Sequence, residues 1–239
     1  FLLVAVTIIA IFLRICGMDF QSDDFNSFLN SWWSIIKLND FTGLATQVGN
    51  YNIPYQVIIY LMTLLPLNAL YAYKIVSIIF DFVLAISTAM LVYSFAKNNR
   101  RLKAILTYSA VLLSATVIFN SSFWAQCDSI YTSFIILAIL FLHKDKPIAS
   151  FVFIGIAFAF KLQTVFIIPV LLYYWISTKK ISILHFFIIP AVDVIMCLPA
   201  IIMGRPFIDI ITIYAEQTDY GKLIQMNLSL IHISEPTRL

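Results

Sequence analysis

Apolar residues occur along this chain in long runs that are separated by short polar stretches. Runs of this length, with few charges inside them, are typical of helices that cross a membrane. They predict an all-α fold, a polytopic transmembrane helical bundle with about seven spans. The runs cover residues 1–15, 53–67, 75–95, 104–119, 130–142, 148–160, 164–176 and 183–203.

Basic residues between the runs predict how the bundle is oriented. Basic loops tend to stay on the cytoplasmic side, and neighbouring basic clusters here are separated by two runs, so one orientation satisfies all of them. Residues 16–74 are then predicted to form one long loop on the outer face. The clusters are Lys97, Arg100, Arg101 and Lys103; Lys144 and Lys146; and Lys179 and Lys180.

This orientation requires residues 53–67 to stay on the outer face. The run is short for a span and ends near Pro66, and short apolar segments are often interfacial or re-entrant. We therefore predict an interfacial helix. The alternative is a crossing, because residues 58–65 are apolar enough to span if neighbouring helices cover them.

A second interfacial helix is predicted at residues 25–36. Its apolar side chains recur at the spacing of one helix face, opposite polar residues. The paired tryptophans favour the headgroup zone, so the helix is expected to hold its N-terminal acids at the outer mouth of the bundle. The apolar positions are Phe25, Phe28, Leu29, Trp32, Trp33 and Ile36.

Composition narrows the class of protein further. Hydrophobic residues make up 62% of the chain, and the mean hydropathy of +0.95 is typical of an integral membrane protein. A net charge of +3, dispersed over short clusters, argues against nucleic-acid binding. The cysteines and histidines show no disulfide or metal-ligand spacing.

Both ends of the sequence are expected to be artificial. The chain begins inside an apolar run, and residues 1–15 span only about 22 Å of a roughly 30 Å hydrocarbon core, so we expect the first helix to begin earlier. Residues 228–239 resemble the translation of a transposase sequencing adapter. We therefore expect residues 1–227 to form one transmembrane module and residues 228–239 to be non-native.

Two acids in the first outer loop are the first candidates for chemistry. Asp24 begins the aromatic helix, where it could cap free N–H groups or act as a general base toward a hydroxyl. Because Ser22 and Asp23 also offer caps, we favour the base. Asp23 is the alternative base, or a cation ligand.

Residues 121–128 form a second polar segment, predicted to lie in a tight loop on the same outer face. Trp124 offers a flat apolar surface to a sugar ring, and Gln126 and Asp128 can hydrogen-bond its hydroxyls. The structural alternatives are an interface anchor for Trp124 and a helix cap for Asp128. Their occurrence together favours a binding site.

Lys161 and Gln163 lie between short apolar runs, without a loop long enough to be fully solvated. A buried lysine needs an anionic partner. Lys161 could pair with Asp128, or it could bind the phosphate of a lipid-linked donor with Gln163 adding a hydrogen bond. We favour phosphate, because intramembrane cations tend to line pathways. Arg205 is a weaker second phosphate ligand.

Three further features complete the set of candidates. Lys74 and Asp81 share a helix face and predict an ion pair. Asp193, isolated in the last run, suits a proton relay. Residues 214–220 form a polar outer segment that could touch an acceptor.

These motifs resemble those of the GT-C membrane glycosyltransferases, and most nearly the bacterial relatives of the second mannosyltransferase of glycosylphosphatidylinositol synthesis. The resemblance covers residues 14–220. Asp23 and Ala125 depart from it, because many relatives have glycine at both positions. The motifs are Asp24-Phe25, Asn50-Tyr51 with Pro54-Tyr55, Lys74 with Asp81, Trp124-Ala125-Gln126-Cys127-Asp128, and Phe160-Lys161-Leu162-Gln163 with Pro169.

The resemblance implies an inverting transferase of a hexose such as mannose, acting at the extracytoplasmic face of a bacterial plasma membrane. Its donor would be a polyprenyl-phosphate sugar and its acceptor a lipid, glycan or protein, with an acid of the first outer loop, best matched by Asp24, as base. Some GT-C enzymes bind a divalent metal and others do not, so metal dependence stays open.

The alternative function is a transporter or a flippase of lipid-linked glycans. Paired broken helices in two related halves of the chain would favour that alternative.

Overall fold

The computed structural model of the protein describes residues 1–215, and all regular structure in that range is helical. The predicted all-α class is therefore confirmed. The α-helices are α1 (Leu2–Ile15), α2 (Asn30–Asn39), α3 (Ile53–Thr63), α4 (Ala69–Phe95), α5 (Arg100–Leu112), α6 (Ala115–Ile118), α7 (Asp128–His143), α8 (Pro147–Phe160), α9 (Ile168–Thr178) and α10 (Ile188–Ile202). Shorter elements are π-helices at Phe25–Leu29 and Phe119–Phe123 and 3-10 helices at Asp40–Ala45, Leu162–Ile167 and Ile183–Phe187, with a last helical stretch at 208–215.

The longer helices pack in a row. α4 contacts α5 and α7, α7 contacts α8, and α8 contacts α10, while α1 packs against α5 and α3 packs against α8 and α10. Gly155 permits the close approach of α8 to α10, because a methyl group there would lie 2.7 Å from Val192 Cβ. The helices that carry the candidate acids and the three basic clusters therefore belong to one packed bundle.

Two helices in the described range are long and apolar enough to cross a membrane, Ala69–Phe95 and Ile183–Ile202. A third span results if Arg100–Leu112 and Ala115–Phe123, which are bent by 49° at a short break, form one crossing. The remaining apolar helices have 17 residues or fewer. The count of seven spans therefore stays a prediction.

Helix α3 accounts for most of the short apolar run at 53–67. It has 11 residues, which corresponds to about 16 Å, roughly half of a hydrocarbon core. Ile53, Tyr55 and Ile59 are buried where the helix packs against its neighbours. Its length favours the interfacial alternative over a crossing.

The aromatic helix at 25–36 forms, but its first turn is a π-helix. Trp32 and Trp33 are only 8% and 5% exposed, and the ring of Trp33 lies 6.0 Å from that of Tyr73 in α4. Both rings are therefore enclosed by protein, and the position of the helix in the headgroup zone stays a prediction. The aromatic face contacts the protein core, because α3 and α4 lie directly against it.

A buried ion pair ties α1 to α4. Arg14 and Asp81 are 1% and 0% exposed, and the Nη2 and Oδ2 atoms lie 2.9 Å apart. The hydroxyls of Ser121 and Ser129 donate to the two oxygens of the same carboxylate at 2.5 and 2.6 Å. Asp81, in α4, therefore connects α1, the start of the 121–128 segment and α7.

Lys74 has a different set of partners. Its ammonium donates to the backbone carbonyls of Gly17, Met18 and Phe20 at 2.7, 3.0 and 2.5 Å. The predicted Lys74–Asp81 pair is wrong. The turn that follows α1 supplies the acceptors for Lys74, and Arg14, in the last turn of α1, supplies the cation for Asp81. Lys74 thereby fixes the loop that leads to the first acids.

Candidate functional site

Three segments that are distant in sequence meet in a cleft of about 280 Å³. They are the start of the aromatic helix, the loop before α3 and the segment before α7. The volume is close to the lower end of the range of small-molecule sites, about 300–1,000 Å³. The cleft is lined by Asp24, Phe28, Leu29, Trp32, Asn50, Tyr51, Gln126 and Asp128.

Asp24 lies in the cleft and is not the cap of its helix. The Ser22 hydroxyl accepts from the backbone N–H of Phe25 at 3.1 Å, whereas Asp24 makes no capping hydrogen bond. Gln126 Nε2 donates to Asp24 Oδ2 at 2.7 Å. Asp23 is exposed and is not among the lining residues. Of the two acids, Asp24 is therefore the one placed to act on a molecule in the cleft.

Asp128 has a different environment from Asp24. Its Oδ1 pairs with Lys161 Nζ, and its Oδ2 accepts from Asn120 Nδ2 at 3.0 Å. The Lys161 ammonium also lies 5.6 Å from the ring centroids of Tyr51 and Tyr131. The structural alternative for Lys161, a pair with Asp128, is thus present. An ammonium has three donors, so Lys161 retains capacity for a second anion next to Asp128 and Tyr51, which line the cleft.

Tyr51 connects the loop before α3 to the acids. Its hydroxyl donates to Gln126 Oε1 at 3.1 Å, so the Gln126 amide is fixed in the orientation that presents its NH₂ group to Asp24. Burial, and then the neighbouring Cys127 thiol and Asp128 carboxylate, raise the pKa of Tyr51 well above its ordinary value. The phenol therefore stays protonated and remains a donor.

Four predicted ligands are not among the residues that line the cleft: Trp124, Lys161, Gln163 and Arg205. Lys161 adjoins the cleft through its pair with Asp128. Trp124 is 45% exposed; its ring packs near Phe20 and Phe119, and its backbone carbonyl accepts from Ser22. Gln163 is exposed on the 3-10 helix that follows Lys161. The aromatic surface that borders the cleft comes from Phe28, Trp32 and Tyr51 instead.

Arg205 is buried, at 3% exposure, and its guanidinium is held by protein groups. It donates to Gln56 Oε1 at 3.2 Å and to Gln47 Oε1, and it pairs with Asp209. The amide nitrogens of Gln47 and Gln56 in turn donate to the Tyr51 carbonyl at 2.9 and 3.1 Å. The geometry indicates that Arg205 positions the Tyr51 loop, whereas sequence reasoning predicted a phosphate ligand.

Replacing Arg205 with methionine is expected to lower the free energy of unfolding by about 1–3 kcal/mol, because the buried Gln56 oxygen and the half-buried Gln47 oxygen lose a charged donor. Arg101→Met removes the same charge from an exposed position and is expected to stay within about 0.5 kcal/mol of wild type. Chemical denaturation in detergent micelles measures both. Equal stability of the two variants would show that the Arg205 network contributes nothing to the loop.

Asn52, Asp193 and Tyr214 form a second polar network, next to that of Arg205. Asn52 Nδ2 donates to Asp193 Oδ1 at 3.2 Å and to the Tyr214 hydroxyl at 3.1 Å, and Tyr214 donates to the Phe158 carbonyl. Asp193 therefore holds the loop before α3, and the proton relay stays a prediction. Residues 216–220 of the predicted acceptor-contacting segment lie outside the described residues.

Within residues 1–215, no cluster of three or more histidine, cysteine or acidic side chains could hold a metal ion. Comparison with protein-family models, with curated proteins and with solved structures finds no match. The functional assignment therefore depends on the geometry of the cleft.

Proposed function

We propose that the chain is an inverting glycosyltransferase that moves a hexose such as mannose from a polyprenyl-phosphate donor to a lipid, glycan or protein acceptor. In this proposal the cleft is the active site and faces the extracytoplasmic side of a multi-pass, GT-C-like bundle with about seven spans. The supporting observation is that Asp24 and Gln126, 102 positions apart in sequence, form a hydrogen bond inside the cleft beside the Asp128–Lys161 pair.

The two carboxylates suit different roles because their environments differ. Asp128 is engaged by Lys161 and Asn120, so its negative charge is largely compensated. Among residues 1–215, Asp24 has a single side-chain donor, Gln126, and it is half-buried at the cleft. Two nearby acids in unlike surroundings are a common basis for dividing chemical roles. We assign the base to Asp24 and the positioning of Lys161 to Asp128.

The reaction proposed is a single displacement at the anomeric carbon. The acceptor oxygen forms a bond to that carbon while the bond from the carbon to the phosphate oxygen breaks, and the phosphate leaves with the electron pair. Asp24 takes the acceptor proton. The Lys161 ammonium offsets the negative charge that develops on the departing polyprenyl phosphate, and the aromatic wall of the cleft borders the sugar.

The local backbone supports a functional role for these segments. π-helical turns are rare and occur often at functional sites. One of them, Phe25–Leu29, follows Asp24 directly, and the other, Phe119–Phe123, precedes Gln126 by three residues. Both π-helices therefore lie next to residues that line the cleft.

Lys161 is expected to matter through its charge. Lys161→Met should lower kcat/KM for the lipid-linked donor by about 10–100-fold, because one charge-assisted contact to phosphate is worth about 1.5–3 kcal/mol. Lys161→Arg, which keeps the charge, should recover part of this loss. Steady-state kinetics with varied donor measure both. Equal loss in the two variants would argue against a phosphate contact.

Reconstitution of the protein in liposomes with a polyprenyl-phosphate hexose tests the proposal against its alternative. Transfer of the sugar to an added acceptor and movement of the intact donor across the bilayer are measured in the same vesicles. We expect a new glycosidic product and consumption of the donor. Translocation of intact donor without product would instead establish a flippase.

A further inference from the structure

A groove of about 590 Å³ lies between α4 and α5 and is completed by Leu3 of α1. Its walls are mainly apolar, with Ile86, Met90 and Ile105 among them. Arg100 and Lys144 also line it. We call this cavity the basic groove. It shares no lining residue with the cleft that contains Asp24.

The basic groove lies at the other end of α4 from the acids. Helix α4 has 27 residues and is therefore about 40 Å long. Lys74, near its start, holds the loop that leads to Asp24, whereas Tyr93 and Ser94, near its end, line the groove. The positive-inside rule assigns this end to the cytoplasmic face.

The two cations of the groove have no acidic partner. Among residues 1–215, neither Arg100 nor Lys144 forms an ion pair with a carboxylate, and both side chains are exposed. Lys180, in the neighbouring basic cluster, does pair with Asp145 at 2.8 Å. The basic groove, with apolar walls and two cations that have no acidic partner in the described part of the chain, is therefore complementary to a molecule with a hydrocarbon chain and an anionic head.

We propose that the basic groove binds one anionic phospholipid. An acyl chain lies along Ile86, Met90 and Ile105, and the lipid phosphate contacts Arg100 and Lys144. Basic pockets between membrane helices on the cytoplasmic side recognise anionic headgroups in this way, and each lysine or arginine near the surface contributes roughly a fivefold gain in affinity. This site is independent of the proposed sugar transfer.

Native mass spectrometry of the full-length protein tests the site, with phosphatidylglycerol and phosphatidylcholine offered in mixed micelles. Wild type is expected to retain one phosphatidylglycerol in preference to phosphatidylcholine. The double variant Arg100→Gln/Lys144→Gln should weaken that retention by roughly 30-fold. The matched control Lys97→Gln/Lys103→Gln removes the same charge from the same region without touching the groove, and it should retain the lipid.

A second variant tests the apolar wall separately. Ala104→Trp places a large ring in the groove and should displace phosphatidylglycerol while both cations remain. Three outcomes would overturn the proposal: equal retention of the two lipids by wild type, equal loss in the double variant and its control, or a change of oligomeric state with Ala104→Trp and no change in bound lipid. The last outcome would indicate that a second copy of the chain covers the groove.

Discussion

Replacing Asp24 with asparagine is expected to reduce sugar transfer by about 10²–10⁴-fold, the usual contribution of a general base. Asparagine has nearly the same shape, and its side-chain oxygen can still accept from Gln126, which now donates to Asp24 at 2.7 Å. Ser22 caps the helix, so the substitution leaves the cap in place. The loss should therefore appear in kcat with unchanged thermal stability.

Asp23→Asn distinguishes the two adjacent acids. The Asp23 side chain is exposed and lies outside the cleft lining, so this variant is expected to keep transfer within a few-fold of wild type. Both variants are assayed in the full-length protein with saturating donor. If Asp23→Asn abolishes transfer and Asp24→Asn does not, the base has been assigned to the wrong residue.

Replacing Asp81 with asparagine is expected to lower the free energy of unfolding by about 3–5 kcal/mol, because it leaves the Arg14 guanidinium buried without a counter-charge. Arg14 and Asp81 are 1% and 0% exposed, so water cannot compensate. Ser121 and Ser129 donate to different oxygens of Asp81, so asparagine can accept from only one of them, and the other hydroxyl must turn to accept from the amide NH₂. Chemical denaturation in detergent micelles measures the change.

The double variant Arg14→Met/Asp81→Asn is the matched control for this effect. Removing both charges eliminates the uncompensated cation, and apolar replacement of buried ion pairs is often close to neutral. We expect the double variant to recover at least half of the stability lost by Asp81→Asn alone. A double variant that is less stable than Asp81→Asn would contradict this account, because it would show that the unpaired Arg14 guanidinium is not the cause of the loss.

The amphipathic pattern at 25–36 predicted the helix correctly but not its surroundings. Alternation of apolar and polar residues gives the same pattern whether the apolar face contacts lipid headgroups or protein. Trp32 and Trp33 turn inward because α3 and α4 cover them. That packing depends on tertiary contacts, such as the one between Trp33 and Tyr73, which no local pattern encodes.

The candidate site could be predicted in part. Polar residues in an apolar chain stand out, and this signal found Asp24, Gln126, Asp128 and Lys161, which the structure brings together. Tyr51 entered the prediction only within the Asn50-Tyr51 motif and without a role, because its role depends on the loop conformation that Gln47 and Gln56 impose.

Two predicted ligands, Arg205 and Trp124, are engaged by protein groups outside the cleft, for a shared physical reason. The sequence does not reveal whether a polar side chain already has a partner. Arg205 has three side-chain acceptors in the fold, and the Trp124 ring packs on Phe20 and Phe119.

Ala125 has a φ of 57°, at a position where many of the glycosyltransferases that the sequence resembles have glycine. That left-handed conformation favours glycine and gives the family pattern a local backbone reason.

The most direct test of the central claim is to locate the lipid-linked sugar on the protein. A polyprenyl-phosphate hexose with a photoreactive group on the sugar is bound to the full-length protein and crosslinked, and the labelled residues are identified by mass spectrometry. We predict labels at Phe28, Trp32, Tyr51 and Gln126, which line the cleft. Labelling confined to the basic groove around Arg100 and Lys144, or spread evenly over the lipid-facing helices, would contradict the assignment of the cleft as the donor site.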